Sequence, residues 1–488
     1  MPGGRLLARW ETEPMARWVG RTATQLAGAV RAGVVTARAV VAEHLARIEE
    51  LNAELGAFRV LRPQRALAEA DAVDAALAAA PASPGHPGTA STSHARFPLA
   101  GVPLGVKDNT AVAGEVPRFG SLATPDTPAV TDHEVVRRLR AAGAVVVGLT
   151  SMPELGIFPM GDGVWGVPRN PWNPQLTPGG SSGGAAVAVA AGMVPLAQGN
   201  DGLGSIRIPA ACCGLVGLKP GTGVLPPPDE PESPWFGLAE HGPLASTVGD
   251  AALMLAIMAE RPDWAEVDAL ETAWPLRVAV AVNHPAPGMP VDPQYRDAAR
   301  AAGQALARAG HEVRAVRLPY PPALGPAVLT TWVRCAAGSV TGLDPRQLTR
   351  PVRGHARMGR LLLRLGMAAP HTRARWTEHL DRCLGSADVL LTPALAHPPP
   401  AAVRWSERGW LRNVVAAGWY TPFIPPWNLA GWPAATVPVA TRHRSGIPLA
   451  VQLVARPGGE PLLLALARRL EVARPWMRLA PGYDPAQG

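Results

Sequence analysis

Apolar positions recur at three- and four-residue steps from residue 22 to residue 78. TATQLAGAVRAGVVTARAVVAEHLARIEELNAEL shows the pattern, and QRALAEADAVDAALAAA continues it. That spacing puts apolar side chains on one helix face, so a helical N-terminal segment is expected over 16–80. Residues 81–97, PASPGHPGTASTSHARF, lose the period and gain Pro, Gly and Ser, which marks a loop. Short apolar runs then alternate with helical patterns. LAGVPLGVKD ends a strand, DHEVVRRLRAAG is an amphipathic helix, AVVVGLT is a buried strand, and GGAAVAVAAGM suits a packed helix. After a Pro-rich loop at 224–237, LRVAVAV, DPQYRDAARAAGQALARAG and HEVRAVRLP read as a β-α-β unit over 276–319. ADVLLTPAL, AATVPVA and LAVQLVA are further strands, and EPLLLALARRLEVA is a closing helix.

This alternation predicts an α/β fold with a mixed sheet flanked by helices. No internal repeat interrupts it. The 488 residues are read as one large domain. Its parts are a core over 98–260, a β-α-β region over 270–345, and the C-terminal part of the sheet over 385–480.

Composition adds little until charge is considered. The formal charge is +8, which raises the question of nucleic acid, yet no zinc-finger spacing or RNA-binding signature is present. No nucleic-acid partner is expected. The densest basic stretch is RPVRGHARMGRLLLRLGM, where Arg353, Arg357, Arg360 and Arg364 share one helix face. A solvated face explains it, with an anionic substrate or partner as the alternative. The four cysteines, Cys212, Cys213, Cys335 and Cys383, lack metal spacing and fit a reducing compartment, so a cytoplasmic location is expected. No apolar run reaches the length of a membrane span, no apolar leader precedes Met15, and no membrane partner is expected. Met15 is an alternative start to Met1. No metal or cofactor is expected, and a homodimer is allowed for.

Only two of the 46 basic residues are lysine, Lys107 and Lys219. Arginine can replace lysine as a surface charge, but guanidinium cannot lose its proton near neutral pH. Lys107, at the end of a strand, is therefore a candidate for proton transfer. The chain's most unusual stretch lies at 177–219, where glycines flank Ser181 and Ser182 and again flank Ser205. Glycines let a substrate approach the main chain, and clustered N–H groups can stabilise an oxyanion. A flexible linker does not explain the flanking apolar patterns. A phosphate loop lacks GxxxxGK[ST]. A nucleophile elbow around Ser181 in GGSSG, with Asp388 and His397 downstream, leaves Lys107 and Ser205 unexplained.

One further reading uses all three residues. PGGSSGGAAVAVAAG followed by GSIRIPAACCGLVGLKP resembles the signature of the amidase signature family. GVPLGVKD resembles its lysine motif, and NLAGWPAATVPVA and PLAVQLVA resemble its C-terminal motifs. The helical start is similar as well, so the likeness covers most of the chain. It implies that family's fold, a large twisted mixed sheet with helices on both faces. It also implies hydrolysis of a small-molecule amide by a Ser–cis-Ser–Lys triad, with Ser205 as nucleophile, Ser181 as proton relay behind a non-proline cis peptide, and Lys107 as base. Backbone N–H groups of Gly202, Leu203, Gly204 and Ser205 would form the oxyanion hole, supported by Ser182, Asp201 and Arg207. Lys219 would be scaffold.

The chain departs from the family pattern at three places. Leu203 stands where the family has Gly, Ser151 where it usually has Asn, and Ser246 where Arg is frequent. Within the resemblance, an acyl-transferring enzyme and the A subunit of a glutamyl-tRNA amidotransferase are alternatives, as is a catalytically dead binding protein. Trp405, Trp410, Trp419, Trp427 and Trp432 suggest core packing, with an aromatic acyl site as the alternative. LGIFPM, 155–160, is a second candidate wall.

Overall fold

The computed structural model describes residues 18–79, 97–228, 235, 237–270, 275–367 and 372–485. The alternative start at Met15, nearly all of the 81–97 loop and part of the 224–237 loop lie outside these residues.

The described residues of the N-terminal segment form the helices α1 (Ala23–Arg31), α2 (Ala37–Leu55) and α3 (Pro63–Ala78). Thr22 caps α1 reciprocally with Gln25, and α2 stops at Gly56 in the left-handed conformation. A strand the periodicity did not show, β1 (Phe58–Leu61), separates α2 from α3. Four residues are too short for a two-residue period to register. β1 exists because it pairs antiparallel with β3 (Val145–Thr150).

The chain continues through β2 (Pro103–Lys107), α4 (Glu134–Ala141), β3, α5 (Gly183–Ala190), β4 (Leu196–Asp201) and α6 (Arg207–Cys213). β5 (Val216–Lys219), β6 (Glu240–Ala245) and α7 (Val248–Ala259) follow, then β7 (Arg277–Ala281), α8 (Pro293–Arg308) and β8 (Glu312–Val316). The remainder is α9 (Leu324–Ser339), α10 (Arg350–Arg364), α11 (Thr372–Leu384), β9 (Val389–Pro393), α12 (Trp410–Tyr420), α13 (Pro426–Ala430), β10 (Ala434–Arg442), β11 (Pro448–Ala455) and α14 (Glu460–Ala473).

Among the described residues eleven strands form one sheet, in the order β1-β3-β2-β4-β6-β5-β10-β11-β9-β7-β8. β2 runs parallel to β3 and β4, and β7 runs parallel to β8 and β9. The middle of the sheet is antiparallel. This is the mixed α/β architecture expected. Every residue of β2, β3, β4, β6, β9 and β11 is buried, so both faces of the sheet are covered. The carboxyl ends of the parallel strands β2 and β4 lie side by side, where α/β sheets commonly open a ligand crevice.

Candidate active site

Lys107 is the last residue of β2 and is fully buried. Its backbone N–H donates to the Gln198 side chain on neighbouring β4, at 3.1 Å. Its Nζ donates to Ser181 Oγ at 2.7 Å and to Asn200 Oδ1 at 2.7 Å, with the Asn200 carbonyl at 3.4 Å. The Gly180–Ser181 peptide is cis. Ser182, next along, donates its N–H to the Ser205 carbonyl at 3.0 Å, which ties the segment before α5 to the loop before α6. The Ser182 hydroxyl reaches the Asn200 carbonyl at 3.4 Å.

Asn200 escaped the sequence reading. It is the penultimate residue of β4, next to Asp201, and its amide nitrogen donates to Asn109 Oδ1 at 2.8 Å. Its position between Lys107 and Asn109 follows from the parallel pairing of β2 with β4, which no local pattern encodes.

The loop 202–206 is shaped by one carboxylate. Asp201 is completely buried and accepts the N–H of Gly204 at 2.6 Å, with those of Ile206 and Arg207 at 3.3 and 3.4 Å. It also takes the Arg207 guanidinium at 2.9 and 3.0 Å and the Asn428 amide at 2.9 Å. Burial by itself would raise this carboxyl, but Arg207, Asn428 and Lys219 outweigh it and hold the group well below its ordinary range.

This geometry corrects one expectation. The Gly204 N–H points at Asp201 and is not available to an oxyanion. Among the described residues, no group accepts a hydrogen bond from the N–H of Gly202, Leu203 or Ser205. Gly204 is required for another reason: its φ is +120°, and a Cβ there would meet Ile424 at 2.6 Å and Ile208 at 2.7 Å. Leu203 stays out of the positive-φ region, so the Gly-to-Leu departure brings no backbone strain there.

Arg207 is fully buried at the start of α6. Besides Asp201 it binds Gln452 Oε1 at 2.8 Å, Asn428 Oδ1 at 2.5 Å and the Ile424 carbonyl at 3.1 Å. Asn428 and Gln452 belong to the two C-terminal motifs, so those distant stretches meet the loop through one guanidinium. Lys219 is buried too, with Nζ on the Pro220 carbonyl at 2.6 Å. Burial and nearby Arg207 lower its pKa to about 8.

Ser205 is half-buried and opens onto a cavity of about 360 Å³. Leu203 lines the same cavity beside it. So do Gly156, Ile157, Phe158 and Pro159 of the 155–160 segment. Trp332 of α9 braces this wall by donating to the Ile157 carbonyl at 2.8 Å and packing edge-on against Phe158 at 5.3 Å. None of the five clustered tryptophans lines the cavity. Trp405, Trp427 and Trp432 are core, Trp410 donates to His355, and Trp419 stacks on His397 at 4.1 Å. The aromatic lining is Phe158, Trp235 and Trp332 instead. Among the described lining residues His284 is the single titratable group. Its Nδ1 accepts the Ala286 N–H at 2.9 Å, and burial pulls its pKa down.

The elbow alternative fails on partners. Asp388 is held by Arg277 at 2.8 Å, and His397 bonds the Pro290 carbonyl at 3.1 Å. All four cysteines are free thiols, with Cys212, Cys213 and Cys335 buried. No helix among the described residues is long and apolar enough to cross a membrane.

Comparison with known proteins agrees with this geometry. The profile of the family described as Amidase matches residues 39–464. A Mycobacterium tuberculosis protein named "Putative amidase AmiB2" is 39% identical over 463 residues, covering 93% of this chain and 96% of that protein. The solved structure of 6-aminohexanoate cyclic dimer hydrolase complexed with substrate superposes with a TM-score of 0.80 at 28% identity, over 95% of this chain and 99% of that one. A bacterial aryl acylamidase shares the fold, with a TM-score of 0.81 at 23% identity over 96% and 99% of the two chains. A lysine on a buried strand end, a serine after a cis peptide and a second serine on a glycine loop thus stand in a chain that, over nearly its whole length, belongs to the amidase signature family and is an amide-hydrolysing enzyme.

Proposed function

We propose that this amidase cleaves neutral carboxamides with a bulky apolar acyl group, through an acyl ester on Ser205. The observation that carries the reading is the 2.7 Å contact between Lys107 Nζ and Ser181 Oγ, set beside a serine that faces an apolar cavity. Lys107, neutral in the resting enzyme, takes the Ser181 proton while Ser181 takes that of Ser205. Ser205 Oγ then bonds to the carbonyl carbon. The tetrahedral oxyanion is met by the unengaged N–H groups of the loop, those of Gly202, Leu203 and Ser205. Collapse returns a proton to the departing amine and leaves the acyl-enzyme. Water adds by the same relay and releases the acid.

The substrate class follows from the cavity. Its described walls carry no full charge, and His284, with its pKa drawn down, is neutral near pH 7. A zwitterionic amide such as glutamine would be desolvated there without a counter-charge, which is costly. That argues against the glutamine-dependent amidotransferase alternative. Leu203 narrows the space next to Ser205 and sets which acyl groups fit.

The test is mass-spectrometric capture of an acyl adduct during turnover of a panel of aryl, alkyl and amino-acid amides. The adduct is expected on Ser205, with apolar amides turned over fastest. An adduct on Ser181, or preference for charged amides, would overturn the reading.

A further inference from the structure

The basic stretch around α10 has a second character that its charge conceals. Among the described residues sixteen large apolar side chains are exposed, and eight of them lie on or next to α9, α10 and α12. These helices pack together, α10 against both α9 and α12. On α10 the inward positions are already filled by Pro351, Val352, His355, Ala356 and Gly359. Leu361 and Leu363 on the helix, with Leu365 and Met367 just beyond it, are 45–63% exposed and do not serve the core. Arg357, Arg360 and Arg364 are exposed on the same face as Leu361 and Leu365, by three- and four-residue spacing. Arg353 is used differently, donating to the carbonyls of Pro345 and Leu348.

α12 repeats the pattern. Leu411, Val415 and Trp419 are 64%, 60% and 42% exposed at four-residue steps. Val414, Ala417 and Gly418 line the cavity, and Gly418, two turns on from Leu411, is itself exposed, so the cavity wall borders this apolar strip. Leu329 of α9 is both exposed and part of the cavity lining. Residues 346–367 hold six arginines and no acidic residue, and 408–421 hold two arginines and none. A merely solvated face would present the arginines alone. Leucines interleaved with arginines fit a surface that enters the acyl boundary of a bilayer while its guanidinium groups meet lipid phosphates.

We propose that the outer face of α10 and α12 docks onto an anionic lipid bilayer, placing the cavity wall where an apolar amide can pass from the membrane to Ser205. The passage of substrate rests on the acyl-site reading above; the docking itself does not. Charge selects the bilayer over a second copy of this chain, because a two-fold contact would set this arginine-rich face against itself. The proposal revises the sequence-based expectation of no membrane partner, which rested on the lack of a span-length apolar run. A peripheral surface needs no such run.

The experiment is flotation of the full chain with vesicles of phosphatidylcholine alone, and with phosphatidylcholine and phosphatidylglycerol in equal parts. Binding is expected only to the second, and is weakened by salt. R357Q/R360Q/R364Q is expected to lower partition roughly 100-fold, at about fivefold per arginine. L411S/V415S should also release the protein from vesicles. Both variants should keep the thermal midpoint and the turnover of a water-soluble amide, so loss of docking is separated from loss of fold and from failure of the amidase reading. Absence of vesicle binding by the unaltered chain would overturn the proposal. So would binding that neither variant weakens, or a dimer in light scattering that L411S/V415S dissociates without any vesicle binding.

Discussion

Replacing Asp201 by Asn is expected to cost about 3–5 kcal/mol of stability while changing almost no volume. The carboxylate is fully buried and takes three backbone N–H groups, two guanidinium nitrogens and one amide. An Asn offers one acceptor oxygen and turns the other position into a donor, which then faces donors. Arg207, also fully buried, keeps its charge and loses its only carboxylate partner among the described residues. Breaking a buried pair from one side costs this much because the remaining charge is left uncompensated. Urea denaturation with linear extrapolation measures it.

The sign of the pH dependence is set by the depressed carboxyl. Stability from Asp201 is complete above the unfolded value near 3.8 and is lost progressively as pH falls from there through the still lower folded value. The gap between the two proteins should therefore stay constant from pH 8 to pH 5 and shrink only below about pH 4. Turnover, assayed well below the unfolding midpoint, should also drop, since the Gly204 tether that aims its neighbours' N–H groups is lost. One misdirected oxyanion donor costs about 100- to 1000-fold. A loss under about 1 kcal/mol, or a gap that closes between pH 7 and pH 5, would refute the account of the loop as a structure organised by this ion pair.

Lys107→Arg should be nearly as inactive as Lys107→Ala, read as kcat on one amide, because a guanidinium stays protonated and cannot accept the Ser181 proton; substantial activity in the Arg variant would reassign the base. Ser205→Ala should abolish turnover and acyl-adduct formation while leaving the thermal midpoint within a degree or two, since it deletes one half-buried hydroxyl. Leu203→Gly should widen the range of accepted acyl groups, measured as kcat/KM across an amide panel, and an unchanged profile would remove Leu203 from the acyl wall. Asp162 is a buried carboxyl raised by burial to about 6, accepting the Ser406 N–H at 2.8 Å. The folded protein therefore holds this proton more tightly, so stability falls between about pH 4 and pH 6. Asp162→Asn should relieve at most about 3 kcal/mol at pH 7.5 and nothing near pH 4, by denaturation at both pH values.

Much of the site was legible along the chain because its chemistry needs residue types that stand out locally. One lysine in an arginine-rich sequence ends a buried run, and two serines sit among glycines at a separation of 24 residues. The alternation of runs with periods near two and 3.6 likewise determined an α/β sheet, and the long N-terminal period determined its helices. What the sequence left open depends on partners far away in the chain. β1 exists only against β3. Asn200 reaches Lys107 only because β2 and β4 are parallel neighbours.

Gly204 and its neighbours look alike as donors in the sequence. The fold gives Gly204 to Asp201, and does so by burying a carboxylate whose charge Arg207 balances. Of five tryptophans close together in sequence, Trp405, Trp427 and Trp432 are drawn into the core and none lines the cavity, whereas Trp235 and Trp332, 97 residues apart, line it together. Local spacing decides which face of an element is apolar. Which two faces meet, and which polar group then finds a buried partner, is decided by long-range packing, where each burial must satisfy groups that no neighbouring residue can supply.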